Sequence, residues 1–129
     1  MNEVIEKFRE VLTRVARERG SWTFAGLIER EEAPYKLDIV LAGSWISNER
    51  EFLDYFIDKM KQIFSDAEFI RFARIVILNP QGEFLQEFNR IIGPLSKDTD
   101  VTNIRIADAN VRWGHLFATR SLPEFMAVA

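Results

Sequence analysis

His115 is the only histidine of this 129-residue chain, and the chain has no cysteine. One imidazole and no thiol exclude a cysteine nucleophile, a multi-histidine metal centre and a Cys/His zinc knuckle built from its own residues. Acid–base chemistry would therefore rest on His115 or on carboxylates. Its best supporting cast lies in the same stretch, with Asp108 to orient the ring and Arg105 or Arg112 to hold an anionic group. Asp108 suits a tight turn equally well for local reasons, and a lone histidine beside Trp113 and Phe117 reads more simply as a packing residue.

Other segments offer weaker chemistry. Asn79-Pro80-Gln81-Gly82 joins a strand to a helix, where free N–H groups can meet an anion, yet it lacks the Gly-x-Gly spacing of phosphate-binding loops. Gly43-Ser44-Trp45 is not the Gly-x-Ser-x-Gly of a hydrolase elbow. Trp45 either anchors a partner or caps the core. The acidic runs Glu29-Arg30-Glu31-Glu32 and Asp98-Thr99-Asp100 lack the glycine and closing glutamate of a calcium loop and read as solvated surface. No metal and no cofactor is expected.

The elements that must position these residues follow from periodicity. Val4, Ile5, Phe8, Val11, Leu12 and Val15 recur at helical spacing, predicting a helix over 2–19 that Gly20 closes in a left-handed conformation. Alternation in Trp22–Glu31 and Lys36–Ala42 predicts a half-buried antiparallel hairpin. Asn48 and Glu51 have capping-box spacing, so a second helix covers 49–64, with Phe52, Phe56 and Met60 on its apolar stripe. Arg71–Leu78, apolar on both faces from Ile75, reads as a strand of the sheet interior. Glu83–Ile92 reads as a third helix stopped by Gly93 and Pro94, and Val101–Ala107 against Val111–Thr119 as a last hairpin. The order is αββαβαββ plus a short C-terminal tail: one α+β domain over 1–129, with helices packed on a mostly antiparallel sheet.

The parity of the last turn decides the surroundings of His115. An even loop puts Ile104, Ile106, Val111, Trp113, His115 and Phe117 on one apolar face, with Asn103, Arg105 and Arg112 outside. A three-residue loop, Asp108-Ala109-Asn110, moves Arg105 and Asn103 beside His115 and makes a polar site. The even loop sorts apolar residues better and is the expected one.

With 47% hydrophobic residues, 11 phenylalanines and three tryptophans, a chain of this length can bury a core without disulfides. Its net charge of −3 and lack of a basic run argue against nucleic acid and anionic membranes. Neither a secretory leader nor an apolar membrane span is evident, and a soluble cytoplasmic protein is the expectation. Leu122, Phe125, Met126 and Val128 form an apolar tail that needs a surface to cover. The sequence reading favours a non-catalytic binding or assembly domain, homodimeric, with Trp45, Leu122, Phe125 and Met126 at its interface. The competing class is a small-molecule enzyme or metabolite-binding module using His115, Asp108 and Arg105 or Arg112.

Overall fold

The apolar stripes and strand patterns assemble into a five-stranded sheet with helices on both faces. A computed structural model describes residues 2–91, 95–106 and 109–119. Helix α1 (Asn2–Glu18) is followed by β1 (Phe24–Arg30), β2 (Leu37–Ala42), α2 (Glu49–Ile63) and the short α3 (Asp66–Phe69). The chain continues through β3 (Phe72–Ile77), α4 (Glu83–Ile91), β4 (Thr99–Ile106) and β5 (Ala109–Leu116). The α+β class and the main element order agree with the sequence reading, and α3 is an addition to it. Ser65 and Glu68 make a complete capping box at its start, Ser65 Oγ accepting from Glu68 N–H and the Glu68 carboxylate from Ser65 N–H.

At α2, the Asn48 side chain accepts from Glu51 N–H at 3.0 Å, whereas the Glu51 carboxylate takes two bonds from Arg19 instead of turning back to the cap. Arg19 also stacks 3.9 Å from the Tyr55 ring centroid, tying the end of α1 to α2. Gly20 has φ +142°, a region open to glycine but different from the left-handed helical cap expected. A Cβ there would stand 2.7 Å from the Trp45 ring, and one on Gly43 would stand 2.8 Å from its nitrogen. Both glycines let Trp45 lie against the backbone.

The strand order is β3-β2-β1-β5-β4, antiparallel except for the parallel β2–β3 pair. Central strands β1 and β2 are buried on both faces, more deeply than the half-buried hairpin expected. On one face Leu27, Ile39, Leu41 and Phe117 meet α1 and α2; on the other Phe24, Ile28, Val40 and Leu116 meet α4. This layering also corrects the placement of β3, which is an edge strand and not an interior one. It is apolar both ways because Ile75 and Ile77 face the first cluster while Val76 faces the second.

In the last hairpin Ile106 pairs with Ala109, so two residues form the loop and the parity is the expected even one. Its expected consequence does not hold. A bulge between β1 and β5 shifts the register so that Glu29 opposes Trp113 and Arg30 opposes Val111, and Asn103 on β4 takes φ +52°. Around these irregular positions the side chains change face: Trp113 and Phe117 pack with α1 and α2, while Val111 and Ile106 pack with α4. The single apolar face drawn from strict alternation is split in two.

Candidate functional site

Two charged groups lie on opposite faces of this sheet, and each is built around an aspartate. The first surrounds His115. Continuing the β4–β5 register outward puts Asp100 opposite His115, and the connector before β4 brings in Asp98. His115 Nδ1 lies 2.6 Å from Asp100 Oδ1, and Nε2 lies 2.7 Å from Asp98 Oδ2. Ionised carboxylates only accept, so a ring nitrogen carrying a proton donates to the aspartate it faces. Arg9 Nη2 of α1 makes an ion pair with the same Asp98 Oδ2 at 2.7 Å, and Ala118 N–H donates to Oδ1 at 2.8 Å. The imidazole packs edge-on against Phe117, and the Arg9 guanidinium lies 5.5 Å from that ring's centroid.

Burial of Asp98 pushes its carboxyl pKa up, but the bonds from Arg9, Ala118 N–H and His115 outweigh this and hold it below the usual carboxylate range. Chemically the group is a clasp. It joins α1, the connector and β5, and both imidazole nitrogens are already engaged by carboxylates. The reading of Asp98-Thr99-Asp100 as solvated surface holds for Thr99 and Asp100 and is corrected for Asp98, and His115 packs on Phe117 as expected but is also bound by both aspartates, its side chain only 12% exposed. Arg105 and Arg112 do not join it; both are exposed, and Arg105 lines a cleft beside α4. Asp108 lies outside the described residues.

The second group surrounds Asp38, which sequence reasoning passed over. It is 2% exposed, in a strand whose other residues are Leu37, Ile39, Val40, Leu41 and Ala42. Antiparallel pairing sets Asp38 opposite Ile28, and Arg30 follows two residues later. Parallel pairing sets Arg74 of β3 opposite Asp38 on the other side. Asp38 Oδ2 accepts from Arg30 Nε at 2.5 Å and from Arg74 Nε at 2.9 Å, and Oδ1 accepts from Arg30 Nη2 at 3.4 Å. Arg30 Nη1 in turn donates to Glu32 at 2.8 Å. The available signal was a single carboxylate inside an apolar strand run, which folding buries only with a partner.

The remaining candidates divide between local structure and packing. Asn79 organises its own turn: its side chain accepts from Gln81 N–H and its carbonyl from Gly82 N–H, so these two donors are not free for an anion. Trp45 is half-buried, donates to Ser21 C=O at 2.8 Å and packs edge-on against Trp22 and Phe52. Leu122, Phe125 and Met126 lie outside the described residues. Among the described residues no cluster of three or more His, Asp or Glu side chains is arranged to hold a metal ion, and no helix is long and apolar enough to cross a membrane.

A scan of family models and searches of curated proteins and of solved structures found no match to this chain.

Proposed function

We propose that this chain is a non-catalytic binding and assembly domain that forms a homodimer, and that its contact surface is the cleft between α4 and β4. The observation that carries the reading is the pairing of two exposed isoleucines in that one cleft. Ile91, 68% exposed, and Ile104, 40% exposed, line it together with Phe84 and Phe88. Isolated exposed apolar residues are ordinary, whereas two bordering one apolar cleft of about 270 Å³ make a contiguous patch.

A second copy is the occupant that suits the charges. Glu87 and Arg105 line the same cleft. Across a twofold axis a patch meets itself, so a surface carrying one acidic and one basic residue can place each against its opposite. The left-handed Asn103 in β4 interrupts the regularity of that edge, which favours contact through the cleft over extension of the sheet by strand pairing.

Light scattering across a concentration series tests this. The expected result is twice the chain mass, falling to the chain mass for Ile104→Asp. Glu87→Arg and Arg105→Glu should each weaken the dimer, and the two together should restore it. A monomer throughout the series, or a double reversal no better than the single ones, would overturn the reading.

A further inference from the structure

The α4 face of the sheet also holds a cavity of about 450 Å³, within the range of small-molecule sites. Ile28, Val40, Val76, Leu78 and Ile106 form its apolar walls, and among the described residues Glu32 and Arg74 are its charged lining. These two are the ends of a chain of alternating charge, Glu32–Arg30–Asp38–Arg74.

The roles within that chain are unequal. Arg30 uses Nε, Nη1 and Nη2 on Asp38 and Glu32. Arg74 uses only Nε, and its two terminal nitrogens have no partner among the described residues. Glu32 accepts through one oxygen from Arg30, and its other oxygen has no partner among the described residues. A fork-on-fork pairing with Arg30 alone would satisfy a buried carboxylate. The second guanidinium adds a third bond to Asp38 and is held in one orientation by a residue that is itself immobilised. Arg74 is half exposed and so remains open to a ligand.

We propose that this cavity binds a small zwitterion with an apolar body, the chemistry of a free hydrophobic α-amino acid. Its carboxylate would take the terminal nitrogens of Arg74 in a two-bond fork, and its ammonium the free oxygen of Glu32. Its side chain would cover Val40, Val76 and Ile106. A simple anion would face Glu32 unfavourably, and an uncharged apolar molecule would cover both charges without pairing either. The inference does not rest on self-association, although Ile106 lines both this cavity and the cleft between α4 and β4.

NMR titration of the full chain with L-leucine and L-phenylalanine tests it, with N-acetyl-L-leucine and L-leucinamide as probes lacking one charge each. Saturable shifts are expected at Ile28, Val40, Val76 and Ile106 with the free amino acids, and about tenfold weaker binding for either blocked compound. Arg74→Gln should bind leucine and leucinamide alike while keeping the wild-type circular dichroism spectrum. The absence of saturable shifts with both free amino acids would overturn the proposal. So would equal binding of all three leucine compounds, or preference for N-acetyl-leucine, which would mark an anion site; these outcomes on the unaltered chain need no variant to fold.

Discussion

The two aspartate-centred groups differ in what they leave over. Around Asp98, the two imidazole nitrogens, Arg9 and a backbone N–H close on two carboxylates, and the parts come from α1, the connector, β4 and β5. Around Asp38, three neighbouring strand segments supply the parts, and the outer cation keeps two nitrogens without a partner among the described residues, beside a cavity. A closed network fastens elements, while an open one can recognise a ligand. The lone histidine, the first residue to suggest chemistry, belongs to the closed network.

The comparison breaks most sharply at Asp38. Asp38→Ala should lower stability by about 3 kcal/mol in urea unfolding, because it takes the buried carboxylate from the largely buried Arg30 and leaves it only the exposed Glu32. Replacing the pair, with Asp38→Leu and Arg30→Met together, should recover most of the loss, since apolar groups of similar volume pack without the desolvation of two ions. Failure of the pair to recover would mean that the ion pair also specifies strand register.

Asp98→Asn should cost about 1–3 kcal/mol near neutral pH, from weakened bonds to Arg9, His115 and Ala118 N–H. The folded Asp98 has a lowered pKa, so its contribution is fully present above the unfolded value of about 3.9 and fades as pH falls through the lower folded one. The gap between wild type and Asp98→Asn should accordingly narrow in acid unfolding curves below about pH 4. A gap independent of pH would show that packing, not charge, holds the connector.

His115→Gln should cost about 1 kcal/mol in the same urea assay, because Asp98 retains Arg9 and Ala118 N–H while Asp100, 63% exposed, is rehydrated. A loss as large as that of Asp38→Ala would erase the distinction between the two groups. Arg74→Gln should change stability least, by less than about 1 kcal/mol, since its guanidinium is half exposed and Arg30 still satisfies Asp38. A larger loss would make Arg74 a structural member of its group and would weaken its role toward a ligand.

Much of the frame was legible in the chain. The apolar spacing of Val4 to Ala16, the Asn48/Glu51 start and the Glu83 to Ile91 stripe each marked a helix within a residue or two of its observed bounds. Ser65 and Glu68 carried an equally clear start signal for α3. The site was less legible. Beginning β4 at Val101 stopped the register one pair short of Asp100 and His115; one more residue of strand would have set them opposite each other. Asp98 lies beyond the paired strand, and Arg9 comes from the far end of the chain, so no spacing rule links them to His115. Asp38 and Arg30 are near neighbours across one hairpin, yet Arg74 joins them only through a parallel crossover.

From the sequence alone came the three longer helices, the strands and the even last turn, because periodicity, caps and turn length act over a few neighbouring residues. Which strand lies at the edge, where the bulge turns side chains to the opposite face, and which carboxylates close on His115 were decided by tertiary structure. Those outcomes depend on pairings between distant segments, and their energies come from burial and charge that exist only after the two faces of the sheet have been covered.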